Sequence, residues 1–130
     1  MKVFLSGGMK SNWQDDVVHV LHDCDVFDPR EHGLTESEQY TPWDLQHIAM
    51  ADLVIGHMSS DNPSGFGMSL EVGYATALGK PVIFVDRIKD DWRSGYFDMH
   101  RQVASRVVGS EVEAGMVVMM MQHREEIRNG

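Results

Sequence analysis

The stretch from Ala51 to Phe84 constrains the fold more than any other part of this chain. It begins with an apolar run, Leu53 to Ile55, passes through a loop rich in Asn, Pro, Ser and Gly, and enters a segment of small residues that ends at Gly79. A second apolar run, Pro81 to Val85, follows at once. Two apolar runs on either side of a helix-length segment predict a strand, a helix and a second, parallel strand.

The rest of the chain continues this alternation of strands and helices. It predicts a single-domain α/β protein over residues 1–130, with a flavodoxin-like, doubly wound, five-stranded parallel sheet of order 2-1-3-4-5 and helices on both faces. The other strands are expected at Lys2–Ser6, Asp25–Asp28 and Arg106–Val108. One further helix is expected after a cap at Ser11 or Asn12, and another after an N-cap at Thr41, with Pro42 at its first helical position. Two more are expected over Tyr96–Ala104 and Glu111–Arg128. The last of these should face the core with Val112, Met116, Met119, Met120 and Ile127.

Charge and cysteine content exclude several classes of partner and compartment. The net charge is -9 at pH 7 and the 11 basic residues are scattered, which argues against nucleic acid polymers and acidic membranes as partners. A single cysteine, Cys24, excludes an internal disulfide framework and fits a reducing cytosol. No segment approaches the roughly 18 consecutive apolar residues of a membrane span. We therefore expect a cytoplasmic protein.

Parallel sheets of this kind bind ligands at the carboxyl ends of their strands, at the switch point between strands 1 and 3. Here those ends are Ser6-Gly7-Gly8 and the loop from His57 to Gly67. One carboxylate, Glu71, follows this loop among glycines and alanines, and small residues let a ligand approach the backbone. Asp44 is the second acid expected near this edge. Two carboxyl groups at one opening suit cleavage through an oxocarbenium-like transition state.

Other site motifs fit the sequence poorly. The stretch Gly73 to Pro81 imitates a Walker loop, but it has five residues between its glycines and a proline where Ser or Thr binds magnesium. The glycines around Phe66 lack the third glycine of a dinucleotide fingerprint. His19 and His22 lie near Cys24 without an HExxH or CxxC pattern. We therefore expect no metal and no other cofactor.

Two segments resemble a known family. Residues 44–52 read DLQHIAMAD and residues 63–83 read PSGFGMSLEVGYATALGKPVI, after a first strand that ends in Ser-Gly-Gly-Met. Together they are similar to the nucleoside 2-deoxyribosyltransferase family and the related 2'-deoxynucleoside 5'-monophosphate N-hydrolases. The resemblance covers about residues 1 to 110 and implies the same five-stranded fold. It also implies subunits that pair so that a neighbour helps to complete each active site.

The resemblance assigns roles to individual residues. Glu71 is the expected nucleophile, which would form a covalent glycosyl-enzyme, and Asp44 is the candidate for orienting or protonating the base. The expected substrate-binding residues are Ser6, Gly7, Gly8, Met9, Asp61, Ser64, Gly65 and Gly67.

Two departures from the transferase pattern leave the reaction open. Many transferases carry an aspartate six or seven residues before the nucleophile, where this chain has Gly65 and Ser64. A serine at this point resembles the monophosphate hydrolases, where a hydroxyl helps to hold the 5'-phosphate. The transferases' asparagine-containing segment has no clear match after Asp86, so Met99 and His100 are only loose candidates for a neighbour's contribution.

The sequence therefore predicts an enzyme of N-glycosyl bonds in nucleotide metabolism that acts on a small nucleoside or nucleotide. Deoxyribosyl transfer is the first hypothesis, with a homodimer or higher homo-oligomer that shares its active sites. Hydrolysis of a (deoxy)nucleoside 5'-monophosphate is the second. A nucleotide-binding module without turnover is the third, and it would bind ligand equally well after Glu71→Ala.

Overall fold

A computed structural model describes residues 1–129 and confirms the predicted alternation of strands and helices. The strands are β1 (Lys2–Ser6), β2 (Asp25–Phe27), β3 (Leu53–Ser59), β4 (Val82–Arg87) and β5 (Arg106–Val108). The helices are α1 (Trp13–Val18), α2 (Ser37–Met50), α3 (Phe66–Ala77), α4 (Asp98–Val103) and α5 (Glu111–Asn129), with short 3₁₀ turns at Pro29–Glu31 and Ser94–Phe97. Within residues 1–129 no helix is long and apolar enough to cross a bilayer.

The five strands form one parallel sheet of order β2-β1-β3-β4-β5, as predicted. Ser6, the last residue of β1, lies beside Gly56 of β3, so β3 continues beyond β1 at the ligand edge. The chain crosses from one side of β1 to the other between β2 and β3. This crossing opens a crevice at the carboxyl ends of β1 and β3, where sheets of this kind bind ligands.

Alternate residues of each strand point to opposite faces of the sheet, and each face has its own apolar core. Helices α1 and α5 cover one face, and α2, α3 and α4 cover the other. The first core includes Val3, Leu5, Ile55, Ile83 and Val85, and the second includes Phe4, Val54, Met58, Val72 and Phe84. Because Ser6 continues the alternation of Phe4, its side chain faces the second group of helices.

Helix α2 begins earlier than the sequence predicts. Its first residue is Ser37, so Pro42 lies inside the helix and Thr41 is not its N-cap. Proline fixes a helical φ, and the bond that it removes would have gone to the carbonyl of Glu38, an exposed residue in the first turn of the helix. The earlier start places Asp44 in the body of the helix instead of its first turn.

The predicted cap of α1 is confirmed in its position but not in its side-chain contact. Asn12 stands at the N-cap position with φ 52°, and its side chain makes no capping hydrogen bond. Instead, Nη1 of Arg30 donates a hydrogen bond to Asn12 Oδ1 at 3.4 Å. The Asn12 side chain therefore binds Arg30, in the segment between β2 and α2, instead of capping α1.

The predicted inward face of α5 is wrong as well. Val112, Met116, Met120 and Ile127 are exposed and Met119 is partly buried, whereas Val117 and Val118 are buried. The reason is a close approach of α1 and the turn that follows it, because a Cβ on Gly115 would lie 2.8 Å from Cβ of Val20 in that turn. The smallest residue of the helix, not its large apolar ones, fixes which side packs inward.

Candidate active site

The acid predicted to be the nucleophile lies in a small cavity between α2 and α3. Glu71 is in the second turn of α3, and the cavity has a volume of about 140 Å³. Helix α3 can begin here because Gly65 adopts φ 74°, a left-handed conformation that suits glycine. The cavity is lined by Tyr40, Thr41, Asp44, Leu45, Gly67, Leu70 and Glu71.

Glu71 is held by the end of β1. The hydroxyl of Ser6, which is fully buried, donates a hydrogen bond to Glu71 Oε1 at 2.6 Å. Burial raises the pKa of Glu71 to about 8, the Ser6 hydrogen bond opposes this rise, and hydrogen bonding and charge repulsion with Asp44 add to it. The two carboxyl groups are therefore coupled, and at neutral pH the pair retains a proton. A carboxyl that is poised near neutrality is typical of acid–base and nucleophilic sites.

Asp44 faces the same cavity from α2 and has a neighbour that the sequence did not reveal. Its Oδ1 is buried and has no hydrogen-bond partner within residues 1–129, but His32 Nε2 lies 3.5 Å away. The backbone N–H of Leu34 donates to His32 Nδ1 at 2.9 Å, so the ring carries its hydrogen on Nε2, the nitrogen that faces Asp44. Nothing in the sequence links His32 to Asp44, because the 29–40 segment has no periodic pattern.

The loop after β1 is held tightly from α1. Trp13 Nε1 and Gln14 Nε2 donate to the carbonyl of Gly8 at 2.9 and 3.1 Å. A Cβ on Gly7 would lie 2.8 Å from the Trp13 ring, so this position requires glycine. Met9, which follows, is about half exposed and lines a neighbouring cavity with the segment from Pro29 to Thr35. Ser6 thus contacts Glu71, whereas Gly7, Gly8 and Met9 do not line the Glu71 cavity.

The loop before α3 contributes unequally. Ser64 is exposed, and its Oγ accepts a hydrogen bond from the N–H of Phe66 at 3.2 Å, which leaves the hydroxyl hydrogen free for a ligand. Gly67 lines the Glu71 cavity, and a Cβ there would meet no atom within 4 Å. The structure does not bring Asp61 to this cavity. Asp61 lines a separate cavity with His57 and Glu111.

Met99 and His100 lie on α4, beside α3. His100 Nε2 and Ser69 Oγ are hydrogen-bonded at 2.7 Å, and both residues line an apolar groove between the two helices. Met99 is 78% exposed at the edge of that groove. Neither residue lines the Glu71 cavity of its own chain.

This five-stranded fold is shared with a class of α/β enzymes that act on N-glycosyl bonds. Within it, the family model described as "Nucleoside 2-deoxyribosyltransferase like" matches residues 1–88, and the chain belongs to this family. The sequence matches no curated protein sequence closely enough to count as a relative.

Solved structures with the same fold include enzymes of two reactions. A 2-deoxyribosyltransferase from Bacillus psychrosaccharolyticus is 25% identical, with a TM-score of 0.67 over 88% of this chain and 90% of that one. A CMP N-glycosidase from Clostridium botulinum is 21% identical, with a TM-score of 0.62 over 93% of this chain and 99% of that one. A 2-deoxyribosyltransferase from Leishmania mexicana is 22% identical, with a TM-score of 0.52 over 65% of this chain and 63% of that one.

Proposed function

We propose that this protein cleaves the N-glycosidic bond of a 2'-deoxynucleoside and transfers the sugar through a covalent glycosyl-Glu71 intermediate. The observation that supports this most is the position of Glu71, mostly buried in a small cavity, bonded by Ser6 and coupled to Asp44. The carboxyl group is not in a salt bridge with any residue of the 1–129 range, so it is free to bond to a sugar.

The chemistry proceeds in two displacements. A Glu71 carboxylate oxygen attacks C1' of the sugar, and the bond from C1' to the base nitrogen breaks with its electron pair going to the base. Glu71 must first release the proton that it holds below about pH 8. Asp44 lines the same cavity and can take that proton and return it to the departing base. A second base then attacks C1' from the face that the first base left, and its N–H proton passes to Asp44 as the bond from C1' to Glu71 breaks. This restores the carboxyl pair and gives net retention.

A second reaction, hydrolysis of a (deoxy)nucleoside 5'-monophosphate, is favoured by the loop before α3. Because Asp61 lies elsewhere, the carboxyl groups that line this cavity are Asp44 and Glu71. The N-terminus of α3, with the Ser64 hydroxyl and open space around Gly67, suits an anionic 5'-group. In that reaction water resolves the glycosyl-enzyme instead of a second base.

Two incubations separate these reactions. The protein is mixed with a 2'-deoxynucleoside plus a different free base, and separately with a deoxynucleoside 5'-monophosphate in buffer alone. A new nucleoside in the first mixture supports transfer, and free base released only from the nucleotide supports hydrolysis. Glu71→Gln should abolish either activity, and Glu125→Gln, an exposed glutamate on α5, should leave it unchanged. Absence of cleavage in both mixtures would refute the enzymatic proposal and support a silent binding module.

We also propose that a second copy of the chain covers the surface of α3 and α4. Exposed apolar residues continue along this surface from the active-site cavity, because Leu70 lines that cavity and is 59% exposed. Phe66 on α3, Met99 on α4 and Tyr96 in the turn before α4 are at least 72% exposed. A partner seated there would close the cavity and bring its own side chains to the substrate, as the family resemblance implies.

Sedimentation velocity at micromolar concentration tests this assembly. The wild type should sediment above the 14.7 kDa of one chain, and Met99→Lys should shift it towards the monomer. Met116→Lys is the matched control, since Met116 is 55% exposed on α5, away from this surface. A wild type that is entirely monomeric, or equal dissociation in both variants, would contradict the proposal.

A further inference from the structure

Arg93 reaches from the segment before α4 to the loop between β3 and α3. Its Nη1 donates hydrogen bonds to the carbonyl oxygens of Asn62 at 2.7 Å and Pro63 at 2.8 Å, and its Nη2 donates to the carbonyl of Ser60 at 3.1 Å. One guanidinium therefore binds three backbone carbonyls within four consecutive residues. Loop carbonyls of this kind have no partner in a sheet or helix, so Arg93 replaces regular secondary structure there.

The guanidinium is itself held in one orientation by Asp91. Arg93 Nε donates to Asp91 Oδ1 and Nη2 donates to Oδ2, both at 3.0 Å, which is the paired geometry that a guanidinium forms with a carboxylate. The backbone N–H of Arg93 also donates to Asp91 Oδ1, at 2.9 Å. The Arg93 side chain is only 12% exposed and that of Asp91 17%. This pair is therefore preorganised, unlike a mobile surface ion pair.

The loop that Arg93 binds determines where α3 begins. Asn62 Oδ1 accepts a hydrogen bond from the backbone N–H of Gly65 at 3.1 Å, and Gly65 then turns the chain into the helix. Gly65 is also wedged in place, because a Cβ there would lie 2.8 Å from Met58 Sδ and 2.9 Å from the Phe97 ring. Ser64, Gly67 and the free N–H groups at the start of α3 depend on this path.

We propose that Arg93 is a positioning residue for substrate binding. By fixing the carbonyls of Ser60, Asn62 and Pro63, it holds the start of α3 in the place where the sugar end of the substrate binds. Arg93 does not line the Glu71 cavity, so it acts through the loop and not on the reacting atoms. This inference rests on the proposed function, because it assumes that the loop before α3 meets the substrate.

The positioning role predicts a specific kinetic pattern. Displacement of the loop weakens substrate binding, whereas Glu71, Ser6 and Asp44 are held by other contacts. Arg93→Ala should therefore raise KM about tenfold, in the range expected for a binding group that moves by a fraction of an ångström, and change kcat by less than about threefold. Arg93→Lys should behave like Arg93→Ala, because one ammonium cannot reproduce the planar fork that binds three carbonyls and a carboxylate together.

Guanidinium ion offers a readout that a general loss of stability would not give. Added at millimolar concentration, it should lower the KM of Arg93→Ala by occupying the vacant site next to Asp91, and it should not improve Arg93→Lys or the wild type. Arg106→Ala, which removes the same charge from an exposed position on β5, is the control and should retain the wild-type KM. Melting temperatures of all four proteins identify any variant that has not folded.

Hydrogen exchange gives a test that needs no turnover. The amide of Gly65, bonded to Asn62 in the wild type, should exchange at least about tenfold faster in Arg93→Ala, with the core strands β1 and β3 unchanged. Unchanged exchange at Gly65 would overturn the inference even if the enzyme proved inactive. A roughly tenfold loss of kcat in Arg93→Ala with an unchanged KM would also overturn it. Absence of cleavage by the wild type would instead refute the proposed function, and exchange at Gly65 would still decide whether Arg93 fixes the loop.

Discussion

The partly buried carboxyl of Glu71 should make the stability of the protein depend on pH in a specific way. Folding raises the pKa of this acid from 4.5 to about 8, mainly by burial. A raised pKa for an acid means that the unfolded chain ionises first, so the native state loses stability as pH increases from about 4.5 to about 8 and stays at its minimum above that. Glu71→Gln keeps the shape and the bond from Ser6 but removes the ionisation.

The size of the effect follows from the two pKa values. Linkage gives Glu71→Gln an advantage in the free energy of unfolding of about 1 kcal/mol at pH 5, about 3 kcal/mol at pH 7 and about 5 kcal/mol at pH 9. For a chain of this length, the value at pH 7 corresponds to a melting temperature about 10 °C higher. An acid that destabilises the folded state is expected at a position where activity, and not stability, requires it.

Urea unfolding of the wild type and the variant at pH 5, 7 and 9 measures this directly. Glu125→Gln is the matched control, because it makes the same substitution on the exposed side of α5. The difference between wild type and Glu71→Gln should grow with pH, and the difference for Glu125→Gln should stay flat. Parallel curves for wild type and Glu71→Gln would refute the reasoning, since they would mean that Glu71 titrates like a solvated glutamate.

Two other predictions concern particular contacts. Ser6→Ala removes the 2.6 Å hydrogen bond that lowers the pKa of Glu71, so the acidic limb of the kcat/KM profile should move to higher pH; an unshifted limb would contradict this. Gly115→Ala places a Cβ 2.8 Å from Val20 and should lower the free energy of unfolding by about 1 to 3 kcal/mol in urea. Gly73→Ala is the control and should not lower the free energy of unfolding, because its Cβ meets nothing within 4 Å. An equal loss of stability in both variants would argue against the packing of α1 on α5.

The sheet could be predicted from the sequence because its strands are buried on both faces. Such strands are continuous apolar runs, and their alternation with helix-length segments leaves few topologies. The short edge strand β5 is confirmed at Arg106–Val108, although three residues give only a weak strand signal. Gly79, with φ 74° after α3, is a helix end that sequence rules describe well.

Helix boundaries and faces were harder to predict because tertiary contacts decide them. A proline after threonine indicates a helix start, but the exposed turn before Pro42 tolerates the lost hydrogen bond and α2 extends back to Ser37. In α5 the pattern of large apolar residues indicates the wrong face, because Gly115 allows α1 to pack closely. No local pattern shows which small residue another helix will contact.

Some residues of the candidate site could be predicted from the sequence, and others are revealed only by their tertiary contacts. Glu71 was singled out as an acid among small residues beside the expected ligand loop, and Asp44 as a second acid that the family resemblance assigns to the base. The structure places both in one cavity. His32 and Arg93 act through contacts with residues 12 and about 30 positions away, which no spacing rule encodes. Asp61, chosen for its proximity in sequence, lies with His57 in another cavity.

The central claim is that Glu71 becomes bonded to the sugar, and intact-mass spectrometry after rapid acid quench tests it most directly. Wild-type protein mixed with a 2'-deoxynucleoside, or with its 5'-monophosphate, should gain the mass of one glycosyl group, and fragmentation should locate that group on the peptide that contains Glu71. Asp44→Asn should still form the adduct, but more slowly, and Glu71→Gln should form none. Base release by the wild type with no adduct at any quench time, or an adduct on a different residue, would contradict the account.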